Sequence, residues 1–121
     1  MEKIKIDLSK YRGDNSSLYT GRPQGSQVRK VLKLDEEDKL FREVIFTIPK
    51  GTTSFNPSFF LGLLFKSIET LGKDRFLKKY IIDYSSISTE YQGIIRDDIS
   101  DGMRHALNAI NNDTGFSSFL K

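Results

Sequence analysis

Asn56-Pro-Ser-Phe-Phe-Leu-Gly-Leu-Leu-Phe-Lys-Ser-Ile-Glu-Thr-Leu-Gly72 reads as a helix with both ends marked. Asn56 is a good N-cap, because its side-chain oxygen can accept from an early backbone N–H. Pro57 follows at N1, where a missing N–H costs nothing. Gly72 ends the segment as a C′ residue. Between them Phe60, Leu63, Leu64, Ser67, Ile68 and Leu71 recur at i, i+3, i+4, i+7, i+8 and i+11, the stripe of a helix with one buried face. Phe59 and Phe65 add apolar surface off that stripe. Gly62 costs about 1 kcal/mol against alanine in a helix interior, so something must compensate. Close packing of Gly62 on a sheet is one explanation. A partner-binding flank made by Phe59, Gly62 and Lys66, one turn apart, is the other.

Upstream, Glu43-Val-Ile-Phe-Thr-Ile-Pro49 is a β-branched and aromatic run stopped by Pro49 and Gly51. It reads as a strand buried on both faces, hence central. Before it, Val28, Val31 and Leu32 set a helical period from Ser26, a candidate cap, and Asp35 to Lys39 reads as a charged surface segment. Ile4, Ile6 and Leu8 alternate with Lys3, Lys5 and Asp7 as a half-buried strand. Residues 9–25 read as a long loop, with a short strand at Ser17 to Tyr19 as the alternative, forming a hairpin with the first strand.

Downstream, Lys73 to Lys79 is a short helical or irregular turn anchored by Phe76, and Tyr80 to Tyr84 is a strand leading to a serine-rich loop. A long helix from Thr89 to Asn111 carries Tyr91, Ile95, Ile99, Met103, Ala106 and Ile110 on one face. Residues 112–121 form a tail whose Phe116, Phe119 and Leu120 are expected to dock. Alternating strands and helices predict an α/β protein, with one domain over residues 1–121 and a mixed β-sheet backed by helices.

Composition narrows the function. The chain has 121 residues, 37% hydrophobic and 29% charged, with nine Phe and five Tyr to bury. That favours a folded, well-solvated domain over disorder. Without cysteine there is no disulfide scaffold, thiolate zinc site or cysteine nucleophile. The N-terminus lacks a signal-peptide core, and the apolar run Phe59 to Phe65 is too short to span a bilayer, so a cytoplasmic protein with no membrane association is expected. The net charge of +3 is spread along the chain and does not call for nucleic acid.

Candidate reactive groups are few. His105 is the sole histidine and lies one turn after Asp101, as a surface pair would. No metal site or cofactor is expected, and Asp97, Asp98 and Asp101 read as a solvated helix face. No Ser–His–acid arrangement suggests itself, so a non-enzymatic protein is expected. Gly21-Arg-Pro-Gln-Gly25 followed by Ser26 is a glycine-rich loop at a helix start, which can hold an anion through Arg22, Gly25 and Arg29. It is not a P-loop, because no Gly-Lys-Ser/Thr follows. A plain turn before an exposed helix is the other reading. The alternative function is therefore a small basic protein binding nucleic acid or an anion through Arg22 to Lys33.

The segments Gly21–Arg29, Val44–Ile48, Pro57–Phe65, Ile68–Gly72, Phe76 and Tyr80–Asp83 together resemble the STAS-like domains of the uncharacterised bacterial type, relatives in fold of the anti-sigma-factor antagonists. The resemblance covers residues 20–85. It implies a regulatory module that binds other proteins, with a histidine-kinase-type ATPase as partner. The motif phosphorylated in those antagonists, Asp-Ser-Ser/Thr-Gly, falls on Asn56, Pro57, Ser58 and Phe59, where only the Ser58 hydroxyl is kept. Ser58 is thus the candidate phosphorylation site, and Asn56, Ser58, Phe59, Gly62 and Lys66 the expected partner face. A homodimer is left open.

Overall fold

A computed structural model describes residues 2–12 and 17–120, with side chains through 111. Strand β1 (Glu2–Asp7) leads through a 3-10 turn (Leu8–Tyr11) to the short strand β2 (Leu18–Tyr19). Helices α1 (Arg22–Leu32) and α2 (Leu34–Glu37) follow, then β3 (Arg42–Thr47) and β4 (Ser54–Phe55). Helices α3 (Pro57–Leu71) and α4 (Lys73–Lys79) lead to β5 (Tyr80–Asp83) and the long α5 (Thr89–Leu120). The result is a single α/β domain. Helix α5 continues past Asn111, while the side chains of residues 112–121, and with them the docking of Phe116, Phe119 and Leu120, lie outside the described residues.

The main sheet has the order β1–β3–β5 with both pairings parallel, so Ile4 sits beside Val44 and Val44 beside Tyr80. A mixed sheet was expected; every described pairing is parallel, because each successive strand is reached through helical crossovers. Strand β3 is central, yet only alternate residues are buried: Val44 and Phe46 are sealed, while Ile45 and Thr47 are half-exposed. Crossovers of one hand that step across a sheet in one direction leave their helices on one face. The other face therefore shows Lys3, Lys5 and Ile81 to solvent.

Strand β2 exists but forms no hairpin with β1. It pairs in parallel with β4, Tyr19 beside Phe55. The cause is aromatic: the rings of Tyr19, Phe55 and Phe59 lie 5.1 Å apart pairwise, and the buried Tyr19 hydroxyl donates to the Leu8 carbonyl at 2.6 Å. Phe59 thus has a core role that the helical stripe alone does not show.

Helix α3 begins and ends where its caps place it. Asn56 Oδ1 accepts from the Ser58 N–H at 2.7 Å, and the Gly72 N–H returns to the Ile68 carbonyl at 2.8 Å. Helix α1 starts at Arg22 rather than Ser26. Gly21, at φ 86°, is the capping residue, Pro23 stands in the first turn, and the Gly25 N–H already donates to the Gly21 carbonyl. The presumed glycine-rich loop is helix.

The two helices α1 and α3 cross at Gly25 and Gly62. A Cβ on Gly62 would lie 2.1 Å from the Arg22 carbonyl oxygen, and one on Gly25 would lie 2.2 Å from that of Phe59. Gly62 thus packs against a helix backbone and not the sheet, and this contact is what compensates its low helix propensity. Asp98 fastens α5 beside it, accepting from the Phe55 N–H at 3.1 Å and from the Ser54 hydroxyl, so Asp98 belongs to no solvated face.

Candidate partner-binding groove

Beside the glycine crossing lies a groove of about 500 Å³ between α1 and α3. Its floor is Leu61 and Phe65, and its rim carries Arg22, Lys30, Lys33 and Lys66 together with the carboxylates of Asp35, Glu36 and Glu69. The Arg22 guanidinium lies 5.4 Å from the Phe65 ring centroid, a cation–π contact that holds the charge over the apolar floor. Arg22, Leu61 and Phe65 also border a second depression of about 380 Å³, reaching Pro57, Ser58, His105 and Ala109. Asp101 pairs with Arg104, leaving His105 to line this end.

This surface brings together Ser58, Lys66 and Arg22, three of the residues singled out in the sequence. Ser58 and Lys66 are exposed, and Asn56 stands behind Ser58 as its cap. The other expected site residues are elsewhere. Phe59 is wholly buried in the aromatic cluster and Gly25 is sealed in the helix crossing, so neither can touch a partner, while Gly62 is buried in the crossing and only borders the groove. Leu61 and Phe65 take their place. They lie off the core stripe, and that was the available signal.

Arg29 is buried too, and its guanidinium is spent inside the protein. Nε and Nη2 donate to Asp35 at 3.1 and 2.7 Å, and Nη2 also to Asp38 at 3.0 Å. Nη1 donates to the Leu63 carbonyl and the Ser67 hydroxyl at 3.0 and 2.8 Å. All five donors are occupied, so Arg29 has none left for an external anion. With Gly25 buried, the expected anion site reduces to Arg22.

The segment Asp35 to Lys39 is only partly at the surface. Asp38 is buried, accepting from Arg29, from the Ser67 hydroxyl at 2.8 Å and from the Tyr80 hydroxyl. Glu37, also buried, accepts from Arg42 at 2.6 Å and from Lys79 at 3.2 Å. Ser67, a polar residue in an apolar stripe, was the one hint that a polar partner sits inside.

Burial favours the neutral carboxyl of Glu37, but the hydrogen bonds and charges of Arg42 and Lys79 outweigh it and hold the group below its usual range. Burial pushes the hydroxyls of Tyr19 and Tyr80 well above theirs, with Asp38 adding to the effect on Tyr80. A depressed carboxyl stabilises the fold above its unfolded pKa, and that stability is lost as pH falls through the folded value. A raised tyrosine stabilises below about pH 10, where the unfolded residue begins to ionise, and the benefit fades above it. Urea unfolding across pH should therefore show stability falling below about pH 4.5 and again above about pH 10. A flat profile on the alkaline side would contradict the tyrosine assignment.

Among the described residues, no three His, Cys, Asp or Glu side chains converge as a metal-binding group. No helix among them is long and apolar enough to cross a membrane. Asp83 accepts from the Ser85 N–H and borders a shallow depression with Lys5, away from the groove that holds Arg22. Comparison with known protein families, with curated proteins and with solved structures finds no match to this chain. Its function is therefore argued from the groove's own chemistry.

Proposed function

We propose that this chain is a non-enzymatic, cytoplasmic protein-interaction module whose partner docks in the α1–α3 groove. One observation carries the reading: Leu61 and Phe65 form an accessible apolar floor whose rim sets four cations, Arg22, Lys30, Lys33 and Lys66, against three carboxylates, Asp35, Glu36 and Glu69, and none of the four cations makes a salt bridge among the described residues. Such a site suits an apolar anchor flanked by acidic side chains, with the charges steering encounter and the floor supplying contact area. The STAS-like resemblance adds the class of partner, a histidine-kinase-type ATPase, and a regulatory step, phosphorylation of Ser58. A phosphate there would stand in the first turn of α3, where free N–H groups favour negative charge, and would turn one end of the groove acidic.

The test is affinity purification of the tagged chain from its native host, with Leu61→Asp and Lys66→Glu as comparisons. Both positions lie outside the core, so the fold should survive, as circular dichroism would verify. A specific partner recovered with the wild type and reduced about tenfold or more by each variant is expected. A partner retained by both variants removes this groove from the account.

Three of these cations, Arg22, Lys30 and Lys33, support a second reading: binding of nucleic acid or another polyanion along Arg22 to Lys33. Phosphate contacts predict a steep loss of affinity with added salt. Binding of an oligonucleotide that is flat with salt, or undetectable at low salt, removes it.

A further inference from the structure

At the opposite end of α3 the chain displays a large aromatic side chain to solvent. Phe41 is 88% exposed and Leu40 49% exposed, just before β3. Exposure of this degree usually accompanies loose backbone, but this turn is tied down. The Lys79 ammonium donates to the carbonyls on either side of Phe41, Leu40 at 2.8 Å and Arg42 at 2.9 Å, and to Glu37. Backbone bonds from Asp38 to Leu34 and from Leu40 to Glu37 close the turn, and the buried Asp38 is pinned by Arg29, Ser67 and Tyr80.

Buried ions are costly to assemble and often add little net stability over apolar packing. Here they hold one short turn rigidly in place, so the conformational cost of presenting Phe41 is met before any partner arrives. Beside Phe41 a cleft of about 290 Å³ opens towards α4, backed by Leu71 and bordered by Arg75 and Lys78. Arg42 and Lys79 at its floor are already paired, Arg42 with Glu37 and Glu2 and Lys79 with Glu37. Arg75 and Lys78 are exposed and make no salt bridge among the described residues.

We infer that the cleft between Phe41 and α4 is a second docking site, taking an acidic peptide segment of a protein partner that carries an apolar side chain. The apolar side chain enters between Phe41 and Leu71, and the flanking carboxylates meet Arg75 and Lys78. A flat bilayer would meet the tips of Phe41 and Leu40 but could not fill the cleft behind them, and a second copy would bring the same two cations against themselves. A narrow, acidic chain satisfies both the shape and the charge.

The experiment is selection of a random peptide library on the wild-type protein, with affinities of the enriched peptides then read by fluorescence anisotropy. A consensus pairing Asp or Glu with Leu, Ile or Phe is expected. Affinity should fall about tenfold or more in Phe41→Ser and in Lys78→Glu, and stay unchanged in Leu61→Asp, which alters only the α1–α3 groove. The exposure of Phe41 makes its replacement safe for the fold, and an unchanged melting temperature would verify this. No acidic–apolar consensus, or one whose binding survives Phe41→Ser, overturns the inference. So does Phe41-dependent co-sedimentation with phosphatidylserine–phosphatidylcholine vesicles in the absence of such a consensus, which would assign the prong to a membrane surface.

Discussion

Gly62→Ala is expected to destabilise the protein by about 3 kcal/mol, even though alanine is the better helix former by about 1 kcal/mol. The added methyl would sit 2.1 Å from the Arg22 carbonyl oxygen and 2.8 Å from the Ser26 nitrogen. Both are backbone atoms of a helix, so no side chain can swing aside, and relief requires α1 and α3 to separate. Separation would loosen the buried bonds between Arg29 on α1 and Ser67 on α3, as well as the groove itself. Gly25→Ala should behave alike, since its methyl meets the Phe59 carbonyl oxygen at 2.2 Å. Gly93 on α5 is the control: a Cβ there meets nothing within 4 Å, so Gly93→Ala should stabilise by up to about 1 kcal/mol. Urea unfolding of the three variants decides the matter. A loss below about 1 kcal/mol for Gly62→Ala would mean that the helices part easily and that the crossing does not hold the groove.

Asp38→Ala should cost about 3–5 kcal/mol, the usual penalty for removing one partner of a buried ion pair. Its carboxylate accepts from Arg29, Ser67 and Tyr80, all buried, and alanine would leave the Arg29 charge in the interior with only the exposed Asp35 as counter-ion. The loss should show as a lower urea midpoint with an unchanged slope. Replacing both charges, Arg29→Met with Asp38→Leu, should recover a large part of it, because the expense lies in the unpaired ion more than in the missing bond. A double variant as unstable as Asp38→Ala would contradict that reasoning.

What could be read from the sequence was what local chemistry determines. Asn56, Pro57 and Gly72 bound α3 at the residues the structure confirms, and the apolar runs at Val44 and Tyr80 are strands. The errors came where tertiary contact decides. Pro23 and the neighbouring glycines read locally as turn residues, yet proline is equally at home in a first helical turn and Gly25 is demanded by a helix far along the chain. Neither Gly25 nor Gly62 is interpretable alone; only as a pair do they mark a crossing. A strand at Ser17 to Tyr19, the alternative to a loop there, would locally pair as a hairpin with the first strand, but the rings of Phe55 and Phe59 claim Tyr19. Glu37 and Asp38 sit in a run of charges that reads as surface, and nothing local announces that Arg42, Lys79 and Arg29 await them.

For the groove the lesson is similar. Lys66 is legible from its place on a helix flank, Arg22 from its place in a glycine-rich segment, and Ser58 only through the STAS-like resemblance; all three border the depressions beside α3. Which apolar residues face outward depended on what packs against the helix. Leu61 and Phe65, off the core stripe, stay accessible as an isolated helix suggests, whereas Phe59, equally off the stripe, is claimed by the rings of Tyr19 and Phe55.

The most direct test of the interaction reading is site-specific photo-crosslinking in the native host, with a photoreactive residue at Leu61 in the groove and, separately, at the exposed Ile94 on α5. The account predicts a discrete protein adduct from position 61 that disappears when Arg22→Glu and Lys66→Glu are added, and none from position 94. No adduct from position 61, or the same adduct from both positions, would contradict it.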